Sequence, residues 1–260
     1  MGQAATPCPI CTGPRRALFR KTFLGRHEAP LDWCAACGFL QVRAPFWLAE
    51  AYDTAIAALD TGLVARNLGI ANRLAGLLPL LGDTTGPFLD AGGGIGLLVR
   101  LMRDRGFDFR WSDAHAVNLL ARGFTLGAGE PAVAVTAIEV LEHCADPVGF
   151  VAQALAVAGT RTLIFTTETY TGTPRADWWY LAPESGQHIA FFRQDTLAAL
   201  GARLGLALHS HRGLHMLTDR AIAARAYRWR TGRLAPRIAR SARGSLVASD
   251  HALLRARGGR

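Results

Sequence analysis

The sequence predicts an α/β fold, a central and mostly parallel sheet flanked by helices, with a small cysteine-bearing ribbon ahead of it. Three observations carry this. An apolar strand, Phe88 to Ala91, runs into a glycine turn and then into an apolar helical stretch. Beyond it, apolar β runs alternate with helical patterns, the order that builds a parallel sheet. Before it stand two C-x-x-C pairs. With 260 residues, half of them hydrophobic, the chain has room for one sizeable α/β domain plus a small appendage.

Taken in order, Cys8-Pro9-Ile10-Cys11 and Cys34-Ala35-Ala36-Cys37 come first. Each pair can present two thiolates to one ion, and together they close a tetrahedral site with Zn–S bonds of ~2.3 Å. The expected ion is a structural Zn2+, because four sulfurs leave no open position for catalysis. No secretory signal and no apolar run long enough to span a membrane is visible, so the expected location is cytoplasmic and reducing, which disfavours disulfides. The first six residues formally fit a myristoylation pattern, but an ordinary N-terminus is preferred because that pattern is permissive. Cys144 stands apart and reads as a plain thiol. Residues 17–33 read as short strands, which puts the zinc ribbon at residues 1–44. Residues 45–85 read as a helical connector. Phe46, Trp47, Leu48 and Tyr52 share helical spacing there, and residues 63–81 form a second helix with Leu68, Ala71, Leu74, Leu77 and Leu78 inward. Asp60 or Thr61 would cap it.

The main domain is expected over residues 86–218. Asp90-Ala91-Gly92-Gly93-Gly94-Ile95-Gly96 closes its first strand. Glycine at this density lets the backbone turn sharply and lets a ligand lie against bare main chain, beside the N–H groups that open the next helix. That is a nucleotide-type cofactor turn. It is not the dinucleotide fingerprint, whose third glycine would fall on Leu97 or Val99, and this argues against an NAD enzyme. Residues 97–105 continue as helix. A strand over 107–112 delivers Asp113, an acid placed to accept hydrogen bonds from ribose hydroxyls, although a turn or helix cap would use the same residue type. Residues 114–123 read as a short helix, 132–138 as a buried strand, 148–158 as a helix and 162–166 as a strand. An aromatic, polar loop follows, then a helix over 191–205 and a last pair of strands over 206–218. His209, His211 and His215 alternate in that pair and read as strand positions.

Glu139-Val140-Leu141-Glu142-His143, followed by Asp146-Pro147, makes the pattern more specific. With D-x-G-x-G-x-G at 90–96, with His188 three residues before Phe191-Phe192, and with the four cysteines, residues 8–218 resemble the zinc-ribbon-bearing class I S-adenosylmethionine (SAM) methyltransferases. The resemblance implies a Rossmann-like class I methyltransferase fold and SAM as cofactor. It implies that Asp90, Gly92, Gly94, Gly96, Asp113 and Glu139 bind the cofactor, with the strand end at Glu139 beside its methionine half. Many relatives hold the adenine amino group with an acid after the third strand, and here that region offers only Glu130. Some members act in sugar and surface-polysaccharide biosynthesis, so a nucleotide- or lipid-linked sugar is the expected kind of small-molecule acceptor. His188 is the first candidate for removing the acceptor's proton, with His143 and Glu142 behind it, since imidazole titrates near working pH. A structural hydrogen-bonding role would equally suit His188. Trp178, Trp179 and Tyr180 read either as a platform for the acceptor or as a packed lid.

Residues 219–260 form a basic tail. From Arg212 onward, arginines face only Asp219 and Asp250, while the rest of the chain is close to neutral. The high isoelectric point therefore belongs to the tail and not to a nucleic-acid-binding face on the fold. Pro236 and Gly244 break the tail into one or two expected helices with a solvated face. The rival to an enzyme is a non-catalytic zinc-ribbon and Rossmann protein that recognises nucleic acid or a partner through this tail. The sequence disfavours nucleic acid and leaves the oligomeric state open.

Overall fold

A computed structural model of the chain describes residues 6–52, 60–232 and 244–258. Most of the first six residues, part of the connector (53–59) and the break at Pro236 lie outside the described residues. In chain order the strands are β1 (Arg15–Phe23), β2 (His27–Cys34), β3 (Leu40–Val42), β4 (Phe88–Ala91), β5 (Phe109–Ser112), β6 (Val135–Ile138), β7 (Thr162–Thr166), β8 (Ala190–Phe191), β9 (Ala207–His211) and β10 (Leu214–Thr218). The helices are α1 (Leu48–Ala51), α2 (Leu63–Leu77), α3 (Leu97–Arg103), α4 (Pro147–Val157), α5 (Gln194–Arg203), α6 (Ala224–Arg230) and α7 (Val247–Ala256).

The main sheet has six strands in the order β5-β4-β6-β7-β10-β9. β4 pairs in parallel with β5 and with β6, while β9 and β10 form an antiparallel hairpin. The sheet is mixed and flanked by helices, the Rossmann-like arrangement that the sequence predicts. The contacts divide the chain into two compact units. One holds residues 1–57, 139–153 and 165–219, and the other holds 58–138, 154–164 and 220–260.

The first unit contains a second, antiparallel sheet in the order β1-β2-β3-β8. Leu24 and Gly25 both take positive φ between β1 and β2, the backbone of a hairpin turn that matches strand twist. β2 turns Leu31 and Trp33 into a core with Phe23, Leu40, Trp47, Tyr180, Leu181 and Phe191. Phe23 stacks on Trp47 with ring centroids 4.9 Å apart. Ahead of this sheet the cysteines converge. Cys8 Sγ lies 3.7 Å from Cys37 Sγ, and Cys11 Sγ lies 3.5 Å from Cys34 Sγ. Sulfurs bonded at ~2.3 Å to one tetrahedral centre stand about 3.8 Å apart, so the spacing suits a metal. Tyr170 ties this region down: its hydroxyl donates to the Gly38 carbonyl and accepts from Trp33 Nε1 at 3.2 Å.

In the second unit β4 lies between β5 and β6, α3 packs on β5, and α2 packs on α3. Several expectations change here. α2 ends at Leu77 and continues as a 3-10 turn, and Leu68 faces solvent at 41% exposure. Gly62 sits at the N-cap, while Asp60 accepts from Arg66 instead of capping. Residues 114–123 are loop, because Asp113 and Asn118 satisfy the backbone N–H groups there and so replace helical bonds. In the first unit, residues 190–191 are claimed by β8, so α5 starts only at Gln194.

The basic tail is not a wholly solvated face. Asp250, 4% exposed, accepts from Arg103 Nε at 2.8 Å and Nη2 at 2.6 Å, and from Arg100 Nη2 at 2.7 Å. Burial pushes its carboxyl up, but the two arginines outweigh this and hold it below the usual carboxylate range. The Arg103 guanidinium also lies 3.9 Å from the Phe124 ring centroid. Arg103 also pairs with Asp108, and Arg100 with Asp104, so neither cation is left wholly unpaired when Asp250 is removed. Asp250→Ala should therefore cost about 1.5–3 kcal/mol in urea denaturation, the range for hydrogen bonds to charged groups. A loss below about 1 kcal/mol would mean the pair behaves as an exposed one.

Candidate active site

Two groups of predicted residues form two separate polar centres. In the second unit, Asp90 ends β4 and is 2% exposed. Thr136 Oγ1 donates to its Oδ1 at 2.7 Å. Burial raises the carboxyl to about 7, and the neighbouring Asp113 charge adds to this, while the Thr136 hydrogen bond opposes it. The chain then turns through Gly92, Gly94 and Gly96, whose φ values are 71°, 53° and 88°. The Gly92 and Gly93 N–H groups both donate to the Ser112 carbonyl, which holds the turn onto β5.

The glycines have different reasons to be glycine. A Cβ on Gly93 would stand 2.8 Å from Asp90 Oδ2, and one on Gly96 would stand 2.9 Å from Ala121. Those two are required by packing. A Cβ on Gly94 would meet nothing within 4 Å, so the backbone there faces open space. Trp111 Nε1 donates to the Gly94 carbonyl at 2.8 Å. Asp113 braces the same residue: its Oδ2 accepts from Gly94 N at 2.8 Å, and its Oδ1 accepts from His115 and Ala116 N. A carboxylate has about four lone-pair sites, so one remains beyond these three bonds. Leu119 and Leu120 are exposed apolar side chains, and their N–H groups donate to the Ile95 carbonyl. Glu130 accepts from Gly127 N inside its own loop.

In the first unit, Glu139 adopts φ 54°, unusual for a residue with a side chain. Thr166 holds it on both sides: Glu139 N donates to Thr166 Oγ1 at 3.0 Å, and that hydroxyl donates to Glu139 Oε1 at 2.6 Å. Three residues on, Glu142 is fully buried. Its Oε1 accepts from the Tyr180 hydroxyl at 2.6 Å, and its Oε2 has no hydrogen-bond partner. Burial pushes its carboxyl up to about 8, reinforced by the Glu139 charge.

His143 and His188 stand beside it, edge to face with ring centroids 5.0 Å apart. His143 Nδ1 donates to the Gln187 carbonyl at 3.0 Å, and His188 Nδ1 donates to the Tyr180 carbonyl at 2.7 Å. A carbonyl only accepts, so Nδ1 carries a hydrogen in both rings, and Nε2 is the other ring atom of each. Burial pushes His143 down to about 3. Tyr180 is a packed residue whose hydroxyl belongs to this centre. Trp178 lies against Tyr170, Tyr180 and Phe191, and Trp179 is 73% exposed. The acceptor-platform geometry is therefore open at Trp179 alone among the three.

Sequence reasoning named both acids, both histidines and the glycines, but not the groups that hold them. Thr136, Trp111 and Thr166 carried no signal of their own, and Tyr52, marked only as part of a helical apolar face, lies edge-on to His143 with ring centroids 6.2 Å apart. A Thr at a strand end and a Trp within a strand are too common to single out.

Among the described residues no helix is long and apolar enough to cross a membrane. No curated protein matches the sequence. Among solved structures, TnmH is 18% identical over 66% of this chain, with a TM-score of 0.40, and the match covers 60% of TnmH. Magnesium protoporphyrin IX methyltransferase from Synechocystis, with bound SAH, is 17% identical over 65% of this chain and 90% of its own, with a TM-score of 0.44. An O-methyltransferase family 2 protein from Planctomyces limnophilus, in complex with apigenin, is 14% identical over 66% of this chain and 65% of its own, with a TM-score of 0.45. The sequence profile described as "Methyltransferase domain" matches residues 65–211, more than half of the chain, and the chain belongs to that family.

Proposed function

We propose that the chain transfers a methyl group from SAM to a small hydroxylated acceptor, of which a nucleotide- or lipid-linked sugar is the leading class. The observation that carries this is the turn at Gly94, a left-handed backbone position that faces open space between two acids, Asp90 and Asp113. The residues present fit the cofactor. Gly92, Gly94 and Gly96 would take its methionyl part, Asp90 would sit near its ammonium, and Asp113 retains acceptor capacity for a ribose hydroxyl. Adenine would rest on apolar contact from Leu119 and Leu120. When bound, SAM supplies an electrophilic methyl for in-line displacement.

The acceptor's proton falls to the second centre. The bond from His188 Nδ1 to the Tyr180 carbonyl fixes the ring, and Nε2 is the atom that would serve as the general base. His143 is fixed in the same way. Burial raises the Glu142 carboxyl to about 8, and its Oε1 accepts from the Tyr180 hydroxyl, so it stands behind the two histidines as a proton acceptor. Trp179 offers an exposed indole face against which a sugar can lie. The four cysteines hold Zn2+ and organise the N-terminal strands. Family membership favours this enzymatic reading over a binding protein that works through its arginine tail.

Calorimetry with SAM should give a binding heat that Gly94→Val weakens by about tenfold or more, about 1.4 kcal/mol. Gly129→Val is the control, since Gly129 is also left-handed with nothing within 4 Å of its would-be Cβ. It carries similar backbone strain and should keep SAM affinity. No heat with wild-type protein would sink the cofactor assignment.

Asp90 makes a pH prediction. Its carboxyl is about 7 when folded, against an ordinary value of 3.8. The folded state therefore holds the proton more tightly, and ligand-free stability falls as pH rises from about 4 to about 7. Asp113 is the charged neighbour that contributes. Asp90→Asn removes this slope, so its melting temperature should gain on the wild type across that window and level off above it. SAM affinity should fall in the same variant. A difference that is flat in pH would show that Asp90 is not the group responsible.

Elemental analysis of purified protein should find about one zinc ion per chain at the four-cysteine site. Cys37→Ser should lower that content, and chelation should speed amide exchange in β1 and β2. Unchanged exchange after complete zinc removal would deny the metal a structural role.

A further inference from the structure

The second centre carries more than a proton acceptor needs. One carboxylate oxygen of Glu142 and one ring nitrogen each of His143 and His188 lie within 4.8 Å of one another. We propose that these three side chains form a binding site for one divalent first-row transition cation of the Zn2+ class, separate from the four-cysteine site.

Three independent features support it. The first is the ligand set. Two imidazoles and one carboxylate are the donors that zinc and its first-row neighbours accept, whereas Mg2+ and Ca2+ prefer oxygen alone. Bonds of ~2.0–2.2 Å to one tetrahedral centre put donors about 3.4 Å apart, so the three side chains would close in on the cation by about 1 Å from this upper spacing.

The second is the way the ligands are held. Metal-bound histidines characteristically donate the other ring N–H to a carbonyl or carboxylate, which fixes the ring and its tautomer. Both histidines already do so, to the Gln187 and Tyr180 carbonyls. The Tyr180 hydroxyl orients Glu142 in the same fashion through Oε1.

The third is an unmet electrostatic need. Glu142 is fully buried, and its Oε2 lacks any hydrogen-bond partner. A buried carboxyl oxygen left in that state is costly, and a bound cation satisfies it directly. His143 and His188 are only partly buried, so a cation there keeps a face open to small molecules.

Three protein ligands leave coordination positions open, in contrast to the closed four-cysteine cluster. Those positions suit an oxygen donor, and a hydroxyl group on the acceptor is the natural one under the methyl-transfer reading. That use of the site rests on the reading above, while occupancy by a cation does not. With a cation bound, the two imidazoles are ligands and no longer take up a proton, so loading changes how the centre handles its acceptor.

The test is a Co2+ titration of the full chain with zinc already in the cysteine site, followed by visible absorption. The expected result is about one additional equivalent whose d–d bands appear without the thiolate charge-transfer band that exchange into the cysteines would give. His143→Ala and His188→Ala should each weaken this binding by at least about tenfold, and Tyr180→Phe, which keeps the ligands but frees Glu142, by about tenfold or more. Thermal melts of each variant confirm that it folds. Cys37→Ser should leave the bands in place. No uptake beyond the cysteine site, or wild-type affinity in both histidine variants, overturns the proposal. SAM calorimetry on the same samples separates the two claims. A SAM heat with no cobalt bands removes the metal site and keeps the methyltransferase reading, and cobalt bands with no SAM heat do the reverse.

Discussion

The structure depends on how the backbone leaves β4. A buried strand ends on a carboxylate, and the chain must then turn into α3 within a few residues. Left-handed φ at Gly92, Gly94 and Gly96 makes that possible, since a side chain at such positions is strained. A Cβ on Gly93 or Gly96 would force a neighbour to shift, because Asp90 and Ala121 are already there. The turn is therefore fixed by packing on both flanks and open only at its middle. Trp111 and Asp113 clamp that middle residue through its carbonyl and its N–H. A binding surface of bare main chain is useful only when it is held still, and these two side chains from β5 and its end do the holding.

Strands and the glycine turn were legible because their signals are local. Residues 162–166 were read as a strand, and the strand has those bounds, since five apolar or β-branched residues in a row have few other options. The loop over 114–123 was not legible. Its helical look came from Ala and Leu content, but Asp113 and Asn118 accept the backbone N–H groups that a helix would need. Such competition depends on side-chain reach, which spacing alone does not reveal. Leu68 was expected inward from its place in the α2 pattern and is exposed, because the buried stripe runs through Asn67, Ile70, Ala71 and Leu74 instead.

The candidate site shows the same division. Glu142, His143 and His188 were identified by residue type, and the structure brings them together. The role of Tyr180 was not legible. An aromatic in a polar loop reads as a contact surface, whereas here its hydroxyl is directed at Glu142 and its carbonyl at His188. Nor could the sequence show that the basic tail sends an acid inward. Asp250 is one of two acids among many arginines, and its value comes from Arg100 and Arg103, about 150 residues away in the chain.

Three buried carboxyls can be compared directly, and the comparison separates scaffold from site. Asp250 meets two guanidinium groups, so its ionised form is stabilised despite burial and its charge is settled within the fold. Asp90 has one hydroxyl donor and a neighbouring acid, and burial wins. Glu142 accepts from the Tyr180 phenol and has a neighbouring acid in Glu139, and burial wins again over its hydrogen bonds. A fold selected only for stability would have given all three the treatment Asp250 received, or replaced the other two with apolar groups. Asp90 and Glu142 instead stand where a positive group from outside the chain would complete them. Under the proposed function that group at Asp90 is the ammonium of the cofactor's amino-acid moiety, beside an open glycine turn. Under the proposed cation site, at Glu142 it is a cation shared with His143 and His188. Both proposals rest on the same physical feature, a buried carboxyl that the chain's own cations do not meet.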